Sequence, residues 1–220
     1  MEQIKISLYV LELEKGKYYV GQTNQPVFRF ADHISLCGSK WTKRYKAKKM
    51  PLVKHMVVDS HQEAKLYENW LTLIYMEKMG WQNVRGGDYC KTEEYMLKED
   101  IDHIFDTETG KIRYFVPQVK YLFGTSEDYI IYILELENGK FYLGSTNKLG
   151  KCLGKHFLGK GIDWTKFNRP LRVLEYYTVP SPGNYIEEKL KRLKEHVAYY
   201  GIENVRGGNF EQKNKNLTLA

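Results

Sequence analysis

Cysteine and proline are scarce in this 220-residue chain, which holds three of the former and six of the latter. Cys37, Cys90 and Cys152 are odd in number, lie far apart and form no CxxC pair, so neither a disulfide framework nor a zinc knuckle is indicated. No apolar run approaches the roughly 20 residues that a membrane span requires. The opening MEQIKISLYV has no basic segment leading into an apolar core, so it does not read as a secretory leader. The expectation is a soluble intracellular protein, in cytoplasm, nucleoid or nucleus, with no membrane partner. With 42% hydrophobic and 14% aromatic residues, the chain has the material for packed cores rather than disorder.

Acidic residues are in deficit too, 27 against 34 Lys and Arg, for a formal net charge of +7. The imbalance is uneven. Residues 1–90 carry 14 basic and 9 acidic side chains, residues 91–127 carry 5 and 8, and residues 128–220 carry 15 and 10. Two basic stretches around an acidic one suit a polyanionic partner touched by both, although a charge of this size alone supports only non-specific attraction.

What the chain does have is a repeat. LYVLELEKGKYYVG (8–21) returns as IYILELENGKFYLG (131–144), and Tyr9 and Tyr132, Tyr19 and Tyr142, His33 and His156, and Trp41 and Trp164 all share an offset of 123. The offset falls to 121 where RYKAKKM (44–50) is cut to FNR (167–169) and two residues are gained before the next helix. It then holds through NVRGG at 83–87 and 204–208. The chain reads as a tandem duplication: a domain at 1–90, an acidic and partly structured bridge at 91–127, a second domain at 128–212 and a tail at 213–220.

Each copy opens with alternating apolar β-formers around a glycine-containing turn, which predicts a β-hairpin with Tyr9, Leu11 and Leu13 on one face. Short helices are predicted around 28–37 and 151–158. Longer ones follow at 62–80 and 184–201, each ended by a glycine. PLVKHMVV (51–58) and PLRVLEYYTV (170–179) are β-branched and aromatic enough for a third strand. The bridge carries a helical stretch, TEEYMLKEDIDHIF, and a turn at DTETGK. The expected class is α/β (α+β), two domains each with a small, mainly antiparallel three-stranded sheet flanked by helices.

Five elements fall in order in the first copy: Tyr9 in SLY, Tyr19 in YVG, Arg29 and His33 in RFADH, Glu68 in LYENW, and Asn83 before the closing Gly-Gly. In this order and spacing the stretch 1–90 resembles the GIY-YIG nuclease family, with Ser7 where the family's first glycine stands. The resemblance implies a metal-dependent endonuclease acting on DNA, leaving 5'-phosphate and 3'-hydroxyl ends, with Tyr9, Tyr19, Arg29, His33, Glu68 and Asn83 as catalytic residues. It implies Tyr9 as the water-activating tyrosine and Glu68 as the ligand of one Mg2+ or Mn2+ ion.

The residue types suit those roles. Arg29 and His33 stand at i and i+4, on one helical face from which both can reach a phosphate. The planar guanidinium matches phosphate oxygens, and one carboxylate suits a magnesium ion that fills its other positions with water and phosphate. A phenol near pKa 10 needs nearby cations before it can act as a base. Arg29, His33 and the metal are the candidates for those. Taken singly, each residue has a plainer explanation: hairpin tyrosines pack, a helical glutamate is solvated, and an asparagine before Gly-Gly serves a turn.

The segment 40–55 holds seven Lys or Arg and no acid. Lys40, Lys43, Arg44, Lys46, Lys48 and Lys49, with Trp41 and Tyr45 placed to stack on bases, form the candidate nucleic-acid surface. A solvated basic loop is the other reading. In the second copy Arg29 becomes Cys152 and Glu68 becomes Lys189, while Tyr132, Tyr142, His156, Trp164 and Asn204 are kept. Glu187 and Glu188 adjoin the lost position, but neighbouring helical residues point about 100° apart. The second copy is therefore read as degenerate, free to bind nucleic acid, bind another protein or stabilise the first. The alternative for the whole chain is a non-catalytic nucleic-acid-binding or scaffold protein built from two pseudo-nuclease domains.

Overall fold

A computed structural model describes residues 3–113, 117, 122–123, 127–181 and 183–207. It divides into two compact units, Met1–Val119 and Lys120–Ala220. The tail at 213–220 and the end of the second copy from residue 208 lie outside the described residues.

In the first unit β1 (Ile4–Leu13) turns into β2 (Tyr18–Thr23), followed by α1 (Pro26–Ile34), α2 (Lys40–Arg44), β3 (Ala47–Val58), α3 (His61–Met79) and β4 (Val84–Gly86). The sheet order is β3-β1-β2-β4. The first three strands are antiparallel, whereas β4 runs parallel to β2, with Tyr18 opposite Val84 and Tyr19 opposite Arg85. The sheet is thus four-stranded rather than three-stranded. The fourth strand lies inside NVRGG, where three residues are too few to display a period of two. The second unit repeats the plan with β7 (Tyr129–Leu136), β8 (Lys140–Thr146), α5 (Leu149–Phe157), α6 (Asp163–Phe167), β9 (Pro170–Val179), α7 (Tyr185–Tyr200) and β10 (Val205–Gly207), in sheet order β10-β8-β7-β9.

The central strands of each sheet bury both faces, as a strand does when side chains alternate between two covering layers. In the first unit Tyr9, Leu11, Leu13 and Tyr19 pack with Trp41 of α2 and Phe30 of α1 on one face. Leu8, Val10 and Val20 point to the other, which α3 covers with Leu71. Ser60 caps α3 by accepting from the Glu63 amide at 3.1 Å, and the Glu63 carboxylate returns to the Asp59 amide at 2.7 Å, a reciprocal N-terminal lock. In the second unit Ile131, Ile133, Phe141, Leu143 and Val205 close over Leu193 of α7.

Residues 91–113 fold onto the first unit. Helix α4 (Glu94–Ile101) buries Leu97 and Ile101, and a two-strand hairpin, β5 (Phe105–Asp106) and β6 (Lys111–Ile112), follows. Trp81 Nε1 donates to the Thr107 carbonyl at 3.2 Å, holding the hairpin turn to the end of α3.

Candidate active site

Tyr9 sits mid-strand opposite Gly21 of β2. Its ring lies over that glycine so closely that a Cβ there would meet the Tyr9 Oη at 2.3 Å. The glycine of YVG is therefore a space requirement of the first tyrosine, not a turn signal. Across the face, α1 presents His33, which is fully buried. Tyr9 Oη and His33 Nε2 are 3.0 Å apart, and His33 Nδ1 is 2.8 Å from Thr42 Oγ1.

The direction of this chain follows from its last member. Thr42 donates its hydroxyl proton to the Ser39 carbonyl at 3.1 Å, so it accepts from His33 Nδ1–H. His33 Nε2 is then bare and accepts from the Tyr9 phenol. Gly38 makes room for the arrangement, since a Cβ there would stand 2.1 Å from His33 Nδ1.

Burial pushes the Tyr9 phenol up to about 12, against the lowering influence of Arg29, whose guanidinium is within hydrogen-bonding reach of it. Tyr19 is also raised, chiefly by burial, and its ring lies 5.1 Å from that of His33. His33 is lowered to about 4 by burial and then by the Arg29 charge. This corrects two expectations. His33 is a neutral acceptor rather than a cation, and with both ring nitrogens engaged inside the core it does not reach a phosphate. Of the pair on α1, only the half-exposed Arg29 is free to do so; it contacts Asp32 at 3.7 Å.

Glu68 projects from α3 and is buried, which raises its pKa, while Lys65, Gln22 and the Gly87 amide act the other way. Gln22 Nε2 donates to its Oε2 at 3.1 Å, and Lys65 Nζ stands 3.7 Å from the same oxygen and 3.1 Å from Asp88. Its charge acts on Tyr9 and Tyr19, raising both phenols further. Among the described residues no three His, Cys, Asp or Glu side chains converge into a metal cage. A single hard oxygen donor fits a magnesium ion that keeps most of its waters. The neighbouring lysine does not bar the position, because it is already closer to Asp88.

Asn83 is not brought to this cluster. Its Oδ1 accepts from Lys17 Nζ at 2.8 Å and its Nδ2 donates to the Met79 carbonyl at 2.8 Å, bracing the end of α3 against the hairpin. Asn204 repeats both bonds, to Lys140 and to the Tyr200 carbonyl.

The basic segment differs from the expected loop: Lys40, Trp41, Lys43 and Arg44 form α2, and Lys48 and Lys49 open β3. Trp41 is 3% exposed, donates from Nε1 to the Tyr18 carbonyl at 3.0 Å, and lies under the buried Arg85 guanidinium at 4.2 Å. It cannot stack on a base, because its faces are already taken by the core. Trp164 and Arg206 repeat the arrangement at 4.4 Å. Lys49 pairs with Glu12 at 3.0 Å and Arg44 with Glu93 at 3.3 Å. That leaves Lys40, Lys43, Lys46 and Lys48 exposed, without an acidic partner among the described residues. Trp41→Phe is expected to lower stability by about 1–2 kcal/mol through the lost hydrogen bond and contact area. Urea unfolding checks this, with nucleic-acid affinity below the transition expected to stay at the wild-type value.

Thr42, Gly38 and Gln22 escape a reading based on charged residues. The signal for the first two was present in the repeat, since Gly161 and Thr165 stand 123 residues on. In the second unit Tyr132 Oη is 3.0 Å from His156 Nε2, and His156 Nδ1 is 2.9 Å from Thr165 Oγ1. The neutral relay is intact there, but Cys152 occupies the arginine position and its thiol donates to Thr146 Oγ1 at 3.1 Å. Glu188 is engaged with Arg192 at 2.8 Å, and Arg192 stacks on Tyr177.

Two copies of a small α/β domain, each with a hairpin tyrosine bonded to a helix-borne histidine, define a class of catalytic domain. The chain belongs to the GIY-YIG family: the model of the GIY-YIG catalytic domain matches residues 5–75 and 128–200. Membership places it among domains of nuclease type, whose nucleases act on nucleic acid. The chain is similar to a UPF0213 protein of Halalkalibacterium halodurans, 28% identical over 90 residues that make up 40% of this chain and 95% of the relative. One from Cupriavidus pinatubonensis is 33% identical over 60 residues, 27% of this chain and 67% of the relative. One from Xanthomonas campestris pv. campestris is 38% identical over 50 residues, 23% and 49% respectively. No solved structure gives a significant match to the chain. No helix among the described residues is long and apolar enough to cross a membrane.

Proposed function

We propose that the first unit is a metal-dependent endonuclease that hydrolyses DNA phosphodiester bonds, and that the second copy binds substrate without cutting. The observation that carries this reading is the asymmetry of charge around a shared relay. Both units hold the Tyr–His–Thr chain, but only the first adds Arg29 at the phenol and Glu68 beside it.

In this reading Arg29 grips a non-bridging oxygen of the scissile phosphate and stabilises the charge that builds there. Tyr9 Oη takes a proton from the attacking water while its own proton passes to His33 Nε2, so no free phenolate forms at a group held near 12. Thr42 keeps His33 in the tautomer that can receive it. Tyr19, whose hydroxyl has no partner among the described residues, orients the water or the phosphate. Glu68 would hold one Mg2+ or Mn2+ ion, which would neutralise phosphate charge and acidify a bound water. Water oxygen bonds to phosphorus as the bond to the leaving oxygen breaks. The leaving oxygen takes a proton from solvent to become a hydroxyl, and the proton held at His33 returns through Tyr9 to solvent. Lys40, Lys43, Lys46 and Lys48 lie ready to neutralise flanking phosphates.

The test is supercoiled plasmid incubated with the full chain and magnesium. Nicked circles are expected, absent with EDTA and undiminished by Cys152→Ala. Plasmid left intact with either magnesium or manganese rejects the catalytic reading.

A further inference from the structure

Beyond Tyr9 toward its start, β1 presents Ser7 and Lys5 on the same face, at intervals of about 6.6 Å for two strand residues. Ser7 is 3% exposed and stands directly opposite His55 of β3, with Ser7 Oγ and His55 Nδ1 2.7 Å apart. Lys5, Ser7, Asn24 and His55 line a cleft of about 330 Å³. The buried hydroxyl fixes the imidazole through Nδ1, which leaves Nε2 of the exposed ring as the edge turned away from its partner.

We infer that this cleft is a phosphate subsite of the first unit, binding the nucleic-acid backbone one or two nucleotides from the scissile phosphate, with His55 Nε2–H, Lys5 Nζ and the Asn24 carboxamide as donors. The inference rests on the nuclease reading for its ligand. Three observations favour it. Lys5 lies in line with Tyr9 on one face of β1, and His55 of β3 stands beside Ser7 on that same face, so a backbone running along it meets both in succession. The cleft carries a lysine and an imidazole and no carboxylate among its lining residues. At the same register in the second unit stand Asp128, Ile130, Asn147 and Thr178, with Ile130 opposite Thr178. There the lysine is replaced by an acid and the Ser–His pair is lost, in the same copy that lacks the arginine and glutamate of the site. The Ser–His pair occupies the position of the motif's missing first glycine, so what looked like a defect in the motif is the anchor of a second set of contacts.

The experiment measures binding of a fluorescein-labelled DNA duplex by anisotropy, in the Glu68→Gln background, between 50 and 300 mM salt. His55→Ala and Lys5→Asp are each expected to weaken binding about tenfold at the low-salt end. Lys5→Asp should also flatten the plot of log affinity against log salt by about 0.9, one phosphate contact. Both residues are exposed, and unchanged thermal midpoints confirm that the fold is intact. If both variants keep the parent's affinity and slope while wild type still nicks plasmid, the subsite is overturned and the nuclease reading stands. If the Glu68→Gln parent does not bind DNA, the subsite is overturned, and plasmid nicking by wild type decides separately whether the nuclease reading falls with it.

Discussion

Tyr9→Phe is expected to slow single-turnover plasmid nicking by about 10²–10⁴-fold, whereas Tyr132→Phe leaves it within about twofold of wild type. The two substitutions remove the same atom from the same hydrogen-bonded relay. Each hydroxyl is buried and 3.0 Å from the Nε2 of a histidine that is in turn held by a threonine. Each loss should therefore cost about 1 kcal/mol of stability in its own unit, the net worth of a buried neutral hydrogen bond. Stability then serves as the control, and activity separates the copies. In the proposed mechanism the relay moves a proton usefully only where a charged phosphate can be held beside it, a task given there to Arg29, for which a thiol such as Cys152 is no substitute. Equal rates for wild type and Tyr9→Phe remove Tyr9 from the chemistry and reduce the relay to a packing device in both units.

The sequence carries the fold well because its signals are local and doubled. The hairpins, the third strands and the long helices each show the required periodicity twice, and the constant offset fixes their order. Strand β4 was hidden because a three-residue parallel edge has no pattern of its own; it forms only because β2 offers it a ladder. At the site, Tyr9, Arg29, His33 and Glu68 were legible from chemistry and spacing, but their division of labour was not. The i, i+4 spacing puts Arg29 and His33 on one face of α1, yet helix α2 closes over that face and buries one while leaving the other half open. Burial, which spacing does not encode, keeps His33 neutral instead of cationic. Trp41 misled for the same reason. Its neighbours are basic, but the residue that matters to it is Arg85, 44 positions away in the chain and stacked upon it.

Acidification from pH 7 to pH 5 is expected to destabilise each unit by about 2 kcal/mol, well above the range in which most carboxylates titrate. His33 and His156 are each lowered to about 4, in both cases by burial first, then by Arg29 and Lys155 respectively. In the unfolded chain these imidazoles take up protons around the ordinary 6.5. Below 6.5 the unfolded state therefore binds protons that the folded state refuses, and stability falls by roughly 1.4 kcal/mol per pH unit per histidine until the folded values near 4 are reached. In the first unit the raised Glu68 works against this loss, because the folded state holds that proton more tightly. Asp88, lowered against its burial by Asn69 and Lys65, works with it. The second unit lacks this pair and should follow its histidine more simply. Urea midpoints at pH 7, 6 and 5 read the effect, and His156→Gln should flatten the response of the second unit. A midpoint that does not move between pH 7 and pH 5 means that the buried histidines accept protons in place. The Tyr–His bonds then do not hold them neutral, and the direction assigned to the relay is wrong.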